Sequence, residues 1–409
     1  MNRGVFLKLL PLLVLYYVVF AAGAHNAPDY GDEPRYVMYA ENLTQGFYAP
    51  RDSRLLWNGP GYPLLLAPFA FFDIPLIYAK MLNPLFIFLA VRFFFAALRH
   101  FMSERVSLFA AYLFGLYPPF FAEVWYLLTE PVSLMLMTLF SLLMVKRLAT
   151  GKIRFIFPSA VVFAILALTK VFFGYVALGL VLASAVFSLW SATARRVLPV
   201  YLLALVLCVP YLLYTYQLTG KVFCWANSGG SVVYWMTSPD PNDFGSWFTD
   251  SDVLARPELA GHRSFLEKLQ GLDYVQRDDL MKKQALENIR NNPRKVLLNY
   301  AANLGRLFLN FPFSYKSQHP RTLLYIVPNS LILGAIVFSL YPLIRQRKYL
   351  PATIVHACAI SLVYIAGQTP LYAEARYLCP ILPFVLLVVA YVATNLIVLR
   401  NPAEQQPAT

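Results

Sequence analysis

Long apolar runs alternate with short basic connectors along most of this chain. A helix needs about 20 apolar residues to cross the hydrocarbon core of a bilayer. Helices also satisfy their own backbone hydrogen bonds in lipid, so they are the favoured spanning structure for such runs. The pattern therefore predicts an all-α polytopic membrane protein with ten spans, over residues 5–24, 75–98, 106–121, 124–145, 155–169, 172–190, 197–214, 323–343, 351–366 and 378–399.

One further apolar stretch, residues 292–313, carries a polar stripe. Asn299, Asn303, Arg306 and Asn310 recur in it at helical spacing, so one face of the helix is polar. We expect this helix to lie in the membrane interface or to face a cavity. If it crosses the bilayer instead, the spans number eleven, and the sides of the last connectors invert.

The charged residues divide the connectors into two classes. Basic residues cluster in the short connectors near 99–105, 146–154, 195–196 and 345–348, whereas 15 of the 21 acids fall in segments 25–61 and 216–293. Because cytoplasmic loops are enriched in Lys and Arg, we expect both acid-rich segments on the periplasmic side. The net charge of +13 then reflects membrane orientation and contact with anionic lipids, not nucleic-acid binding.

These assignments divide the chain into three parts. Residues 1–215 form an N-terminal transmembrane module whose first external loop, 25–61, carries a short surface helix entered through Pro34. Residues 216–320 form a larger periplasmic segment that follows the seventh span and includes the interfacial helix. Residues 321–409 contain the C-terminal transmembrane helices and a short polar tail.

Polar residues from distant stretches are expected to meet at the outer face. Carboxylates at that depth are costly unless they serve a function. Cations at such a site can hold a phosphate leaving group, and a carboxylate can act as a base. The candidates are Asp32, Glu33, Arg35, Arg51 and Arg54 in the first loop, Glu130 in the fourth span, Lys170 between spans five and six, and Arg376 before the last span, with Asp29, Glu123 and Glu374 nearby.

Each candidate also has a simpler explanation. Asp32 and Glu33 suit the first turn of a helix, where acids interact favourably with the helix dipole. Lys170 suits a position at a span end, from which it can snorkel to the interface. Arg51 and Arg54 suit solvated loop positions. Glu130 also suits a buried helix-capping or pairing role, and Arg376 suits anchoring at a membrane boundary.

The sequence lacks several common catalytic and metal-binding motifs. It has no Gly-rich phosphate loop followed by Lys-Ser/Thr, no HExxH, no GxSxG and no paired CxxC. Its five histidines are scattered, and its four cysteines show no metal spacing. We predict no metal cofactor, although a divalent ion remains possible.

Six short motifs follow one another along the chain: Asp32-Glu-Pro-Arg-Tyr36, Asn58-Gly-Pro-Gly-Tyr-Pro63, Thr129-Glu-Pro131, Leu168-Thr-Lys170, Asn227-Ser-Gly-Gly230 and Ala373-Glu-Ala-Arg-Tyr377. This ordered set resembles the GT-C class of membrane glycosyltransferases. The resemblance is to the branch that contains the protein O-mannosyltransferases and the bacterial lipid A aminoarabinose transferases.

The resemblance implies an inverting transfer of a sugar from a polyprenyl phosphate to a glycan, lipid or protein outside the cytoplasm. It implies that Asp32 is the catalytic base, Glu33 its partner and Glu130 a second acid. Lys170 and Arg376 would then bind the lipid phosphate. Arg35 would orient the carboxylates. The short chain lacks the inserted external domain of the eukaryotic enzymes, so we expect a bacterial inner-membrane enzyme that uses undecaprenyl phosphate.

The chain departs from this family at one motif, and other functions remain open. The aminoarabinose transferases carry a Lys where this chain has Asn58-Gly-Pro60, a contact for which Arg51 or Arg54 could substitute. The residues do not decide whether Asp32 or Glu33 is the base. The alternatives are a flippase or transporter for a lipid-linked sugar, and a glycan ligase with a lipid-diphosphate donor. Transporters usually place their polar groups near the bilayer midplane, whereas these gather at one face.

Overall fold

The computed structural model describes residues 3–23, 30–318 and 320–397, and all regular structure within them is helical. The first ten α-helices are α1 (Arg3–Gly23), α2 (Glu33–Thr44), α3 (Gly61–Phe71), α4 (Leu76–Lys80), α5 (Leu82–Leu98), α6 (Glu104–Gly115), α7 (Pro119–Ala122), α8 (Glu130–Thr150), α9 (Ile156–Thr169) and α10 (Phe172–Phe187). The predicted all-α fold class is confirmed.

Ten further α-helices complete the described part of the chain. They are α11 (Ala192–Leu207), α12 (Val209–Thr219), α13 (Gly229–Met236), α14 (Asp250–Ala255), α15 (Arg263–Glu267), α16 (Tyr274–Asn291), α17 (Pro293–Leu309), α18 (Leu323–Arg345), α19 (Ala352–Gln368) and α20 (Leu382–Tyr391). Helices α13 to α16 belong to the large acid-rich segment 216–293.

Several of these helices are apolar enough to cross a membrane. Within the described residues, four stretches have the necessary length and composition: Gly4–Gly23, Leu76–Leu98, Glu130–Thr150 and Pro320–Arg345. Helices α11 and α12 form a fifth span if counted together, although they are bent by 49°. Shorter apolar helices lie between them. The chain is thus a multi-pass membrane protein, while the count of ten spans stays a prediction.

Prolines break two of the predicted spans. The predicted span 106–121 is divided into α6 and the single turn α7, with Pro118 and Pro119 at the break. The predicted span 197–214 is divided between α11 and α12, and Pro210 lies in the first turn of α12. Proline has no backbone N–H and clashes with the preceding turn, so it favours a bend or a break at these two positions.

Helix α8 lies at the centre of the bundle and α18 at its edge. Helix α8 packs along α5 and against α9. Most of its side chains are buried, including Phe140, which contacts the ring of Phe163 on α9. Helix α18 instead exposes large apolar side chains such as Leu331 and Phe338. A helix that is apolar on all sides needs an apolar environment, which lipid supplies to α18.

Helix α17 turns its polar stripe towards the protein. Asn299, Asn303 and Arg306 are fully buried, whereas Leu297 and Leu298 are exposed on the opposite face. The stripe that distinguished this helix in the sequence is therefore an internal hydrogen-bonding surface. The outward apolar face suits contact with lipid, and the position of the helix in the membrane interface stays a prediction.

Arg306 is the centre of that internal surface. Its Nη1 donates hydrogen bonds to the carbonyl oxygens of Phe244 (2.7 Å) and Pro312 (3.1 Å). Its Nη2 donates to the carbonyl of Gly245 (3.1 Å) and to Oδ1 of Asn303 (3.0 Å). Burial lowers the pKa of Arg306 to about 10. The guanidinium thus satisfies backbone carbonyls of the large acid-rich segment.

Asn303 continues this network to the turn before the last helix. Its Nδ2 donates to the carbonyl oxygens of Thr369 (2.8 Å) and Leu371 (2.6 Å). Its Oδ1 accepts a hydrogen bond from the backbone N–H of Ala373 (2.9 Å). Because Arg376 follows three residues later, α17 fixes the position of that cation relative to the large acid-rich segment.

We expect Arg306→Met to destabilise the fold. The substitution removes the donors that satisfy the carbonyls of Phe244 and Gly245, and a buried unsatisfied polar group costs roughly 1–3 kcal/mol. Thermal unfolding of the detergent-solubilised chain should show a clear fall in the midpoint. The matched control is Arg294→Met on the exposed face of the same helix, which should change stability by about 0.5 kcal/mol or less. Equal midpoints for the two variants would contradict a structural role for Arg306.

Candidate active site

A cavity of about 220 Å³ lies at the end of the bundle where α8 begins and α9 ends. The two helices are joined by a short connection and run antiparallel, so the first residue of α8 and the residue after α9 are brought together. The turn before α20 and the N-terminus of α2 close the cavity. We call it the charged cavity because its lining includes Asp32, Glu130, Lys170 and Arg376.

Glu130 holds two cations at the wall of the charged cavity. Its Oε1 lies 3.0 Å from Nζ of Lys170 and 3.9 Å from Nε of Arg376. The Glu130 side chain is only 4% exposed, so this pairing compensates a charge that burial would otherwise make very costly. Glu130 is also the first residue of α8, where the helix dipole favours a negative charge. The sequence placed Glu130 inside a span, whereas the structure begins the helix at it.

Two glycines bring the first loop against the end of α9. A Cβ atom on Gly59 would lie 2.1 Å from the carbonyl oxygen of Leu168, and one on Gly61 would lie 2.7 Å from the backbone nitrogen of Thr169. A side chain at either position would clash with the backbone that precedes Lys170. This close approach explains the glycines of the Asn58-Gly-Pro-Gly motif, and it makes Asn58 part of the cavity wall.

Asp32 is the half-buried carboxylate of the charged cavity. It lies at the N-terminus of α2 and forms an ion pair with Arg35 one turn further on. Nε of Arg35 donates a hydrogen bond to Oδ1 of Asn58 (2.6 Å), and its guanidinium lies 4.5 Å from the ring centre of Trp57. The aspartate is therefore oriented by a cation that is itself fixed on two sides.

Aromatic rings surround the two cations. Nζ of Lys170 lies 4.8 Å from the ring centre of Tyr377, and the guanidinium of Arg376 lies 5.3 Å from the same ring. Arg376 also lies 5.8 Å from the ring of Tyr30, and its Nε donates to Oε2 of Glu374 (2.8 Å). Cation–π contacts and carboxylates together keep both positive charges in the buried wall.

Four of the predicted site residues do not line the charged cavity, and one of them, Arg35, is connected to it through its ion pair with Asp32. Glu33 is buried against Lys80 of α4, with 2.5 Å between Oε1 and Nζ, and it does not line the charged cavity. Arg54 forms an ion pair with Asp273 of the large acid-rich segment, and Arg51 is exposed to solvent. Asp29, a weaker candidate, is outside the described residues.

Sequence reasoning missed several residues that contribute here. Lys80 was hidden in an apolar stretch, although a lysine in such a stretch is itself a signal for a buried partner. Gln368, Tyr175 and Tyr372 also line the charged cavity, and Tyr372 donates a hydrogen bond to Glu374 (3.0 Å). Tyr175 lies inside an apolar run, where an aromatic residue gives no distinct signal.

Glu123 lies near Glu130 and Arg376 but does not line the charged cavity. It is buried in the loop before α8. Burial and the nearby Glu130 carboxylate raise its pKa to about 8. Near neutral pH this carboxyl is therefore mostly protonated, and it adds little negative charge to a site that already holds Glu130 and Glu374.

The described residues contain no group of three or more His, Cys, Asp and Glu side chains suited to a metal ion. The sequence-based prediction that the protein needs no metal cofactor stays a prediction.

No protein-family profile and no curated protein sequence matches this chain. Solved structures do match it. The archaeal oligosaccharyltransferase AglB from Archaeoglobus fulgidus, in complex with an inhibitory peptide and a dolichol-phosphate, is 11% identical with a TM-score of 0.52, over 96% of this chain and 50% of that one. The same protein in complex with Zn and sulfate is 12% identical with a TM-score of 0.54, over 94% and 48%.

This chain spans about half the length of AglB. ArnT from Cupriavidus metallidurans, bound to undecaprenyl phosphate, is 14% identical over 95% of this chain and 77% of that one. Its TM-score to this chain is 0.45. The likeness to AglB confirms the GT-C fold that the motifs predicted. Membership of the O-mannosyltransferase and aminoarabinose transferase branch stays a prediction.

We expect Glu123→Gln to flatten the pH dependence of stability. The folded-state pKa of Glu123, about 8, exceeds its ordinary value of 4.5, so the native state binds the proton more tightly than the unfolded state. The protonated Glu123 carboxyl therefore contributes to the free energy of unfolding at acid pH, and this contribution is lost as the pH rises from 4.5 to about 8. The neutral amide removes this loss, so the variant should gain stability relative to wild type at pH 9 compared with pH 5.

Thermal unfolding midpoints at the two pH values measure this effect. Glu258→Gln, on the exposed surface of the large acid-rich segment, is the matched control and should follow the wild-type profile. A Glu123→Gln profile that runs parallel to wild type would show that the carboxyl titrates normally.

Proposed function

We propose that this chain is an inverting glycosyltransferase of a bacterial inner membrane. It transfers a sugar from undecaprenyl phosphate, or a related polyprenyl phosphate, to an acceptor at the periplasmic face. One observation carries the proposal: a single cavity contains a half-buried carboxylate, Asp32, together with the largely but not fully buried cations Lys170 and Arg376. The AglB structure of the same fold contains a dolichol-phosphate, which belongs to the same chemical class as the proposed donor.

The orientation follows from the segments that form the cavity. Asp32 and Asn58 belong to acid-rich segment 25–61, and Ser228 and Val232, which also line it, belong to acid-rich segment 216–293. Both segments are expected outside the cytoplasm because the basic connectors mark the inner side. A site that both segments line is therefore periplasmic in this proposal.

Lys170 and Arg376 are assigned to the donor phosphate. A polyprenyl phosphate departs as a stable anion, so it requires cations and no general acid. A lysine ammonium carries three donors and a guanidinium five, and Glu130 and Glu374 engage only part of them. Glu130 positions both cations at the cavity wall. We assign no phosphate contact to Arg51 or Arg54, since Arg54 is paired with Asp273 and Arg51 is exposed.

Asp32 is assigned as the base, and Arg35 orients it. Asp32 lines the cavity and is half-exposed, whereas Glu33 is buried against Lys80, which favours Asp32 for contact with an acceptor. Asp32 takes the proton of the acceptor hydroxyl or amine. The acceptor atom forms a bond to the anomeric carbon as the bond from that carbon to the phosphate oxygen breaks. Attack from the side opposite the phosphate inverts the anomeric centre.

Holding both substrates next to Asp32 accounts for much of the acceleration. Holding two reactants in the correct geometry can lower a barrier by roughly 7–11 kcal/mol. The cations add electrostatic stabilisation because they face the oxygen on which negative charge develops.

We expect Asp32→Asn to reduce sugar transfer by roughly 10²- to 10⁴-fold, since the variant lacks the base but keeps the size of the side chain. Transfer is measured in membranes with defined undecaprenyl-phosphate sugars and acceptors extracted from the cell envelope. The matched control is Asp52→Asn, an exposed acid of the same loop, which should transfer at the wild-type rate. Full activity of a folded Asp32→Asn variant would remove Asp32 from catalysis, and activity only with lipid-diphosphate donors would favour the ligase alternative.

We expect Lys170→Met to weaken binding of undecaprenyl phosphate by roughly 10- to 100-fold, because a hydrogen bond to a charged group contributes roughly 1.5–3 kcal/mol. Binding is measured on the purified chain in nanodiscs, without any sugar or acceptor. Lys152→Met, an exposed lysine in the connector after α8, serves as the control and should retain the affinity. Unchanged affinity in Lys170→Met would assign the phosphate to other residues.

A further inference from the structure

A second cavity, of about 270 Å³, lies in the large acid-rich segment beside the charged cavity. Its walls come from the first loop, from α13 and α16, and from the loop that ends at α14. We call it the aromatic cavity because Trp57, Trp247 and Tyr274 form its partly exposed walls, with Trp235 and Phe248 buried beneath them.

The three partly exposed rings are arranged around one space. The ring centre of Trp57 lies 6.1 Å from that of Trp247 and 5.7 Å from that of Tyr274, with interplanar angles of 83° and 89°. The rings therefore do not stack on one another. Nε1 of Trp57 is buried and has no hydrogen-bond partner within the described residues, whereas Nε1 of Trp247 donates to Oγ of Ser231 (3.0 Å).

Polar groups form the rim of the aromatic cavity. Nη2 of Arg277 lies 2.6 Å from Oδ2 of Asp250, and its guanidinium lies 5.5 Å from the ring centre of Tyr274. Asp250 is more than half exposed, and Thr249 beside it is also exposed. The aromatic walls are thus accompanied by side chains that can donate and accept hydrogen bonds.

One side chain lies between the two cavities. Arg35 lines the aromatic cavity, and its ion-pair partner Asp32 lines the charged cavity. The stack of Arg35 on Trp57 and the ion pair of Arg35 with Asp32 form a continuous wall. A molecule in the aromatic cavity is therefore adjacent to the carboxylate assigned as the base.

We propose that the aromatic cavity binds a saccharide, and that the acceptor of this enzyme is a glycan. This proposal rests on the proposed glycosyl transfer and identifies its acceptor class. A pyranose ring has an apolar C–H face, which packs on aromatic rings, and a belt of hydroxyls, which pair with Asp250 and Arg277.

The size and polarity of the aromatic cavity favour a saccharide over the other acceptor classes. At about 270 Å³ this cavity lies just below the roughly 300–1,000 Å³ of common small-molecule sites, so it suits a single small ring better than an extended peptide. A lipid chain would have to displace water from Asp250 and Arg277 without replacing their hydrogen bonds, which is unfavourable. The acceptor extends from the aromatic cavity past Arg35, and the hydroxyl that reaches Asp32 loses its proton to it and attacks the anomeric carbon of the donor.

Direct binding tests this proposal without a donor lipid. Saturation-transfer difference NMR on the detergent-purified full chain uses the methyl glycosides of glucose, galactose, mannose and N-acetylglucosamine as probes. At least one glycoside should bind wild type, and Trp247→Ala should weaken it by about tenfold or more, as loss of a central aromatic contact does. Trp247 is chosen because Trp57 also contacts Arg35, so its substitution would disturb Asp32 as well.

Two further variants keep this test decisive. Asp250→Asn changes only an exposed rim residue, so it should fold normally and weaken binding several-fold. Trp190→Ala removes a tryptophan that is 75% exposed and distant in sequence, and it should bind as wild type does. No binding of any glycoside to wild type, or equal binding to Trp247→Ala, Asp250→Asn and Trp190→Ala, would overturn the proposal.

The outcomes separate this proposal from the proposed function. If glycosides do not bind but Asp32→Asn abolishes transfer, the proposed glycosyltransferase function is supported and the proposed saccharide site is contradicted. If glycosides bind through Trp247 but undecaprenyl phosphate does not bind wild type, the saccharide site stands and the proposed donor fails. If the donor site and the saccharide site are both supported, Trp247→Ala should raise the KM for a glycan acceptor and leave the affinity for undecaprenyl phosphate unchanged.

Discussion

The fold depends on compensating buried charge at one end of an apolar bundle. Glu130, Lys170 and Arg376 come from three separate elements, and each would be costly to bury without the others. Their pairing ties the start of α8 to the end of α9 and to the turn before α20. The ion pairs of Glu130 with Lys170 and Arg376 stabilise this end of the bundle. They also place the three charged groups around one cavity, so the same interaction supports both the fold and the candidate site.

A second set of contacts holds the large acid-rich segment against that end. Arg306 and Asn303 of α17 bind carbonyls from residues 244–245 and from the turn that leads to Arg376. Arg54 binds Asp273 at the start of α16. These links fix the walls of the aromatic cavity relative to the charged cavity. The proposed glycosyl transfer requires such a fixed arrangement, because it brings an acceptor and a donor together.

Several residues of the first loop are chemically alike, and only the structure distinguishes their partners. Asp32 and Glu33 are adjacent and chemically alike, but successive helical positions face different directions, so one lines the charged cavity and the other meets Lys80. Arg35 and Arg54 are both cations of the first loop. One lies beside Asp32 and the other beside Asp273, and no local pattern distinguishes these partners.

The sequence by itself determined the all-helical membrane fold, because long apolar runs and basic connectors reflect local and bilayer-scale physics. It also indicated the order of the motifs that contribute Asp32, Glu130, Lys170 and Arg376. Only the tertiary structure decided which of these groups share a cavity, that the polar stripe of α17 faces inward, and that Trp57 and Trp247 form a second cavity. Those outcomes depend on contacts between residues far apart along the chain, such as positions 57 and 247, and hydrophobic periodicity carries no information about such pairs.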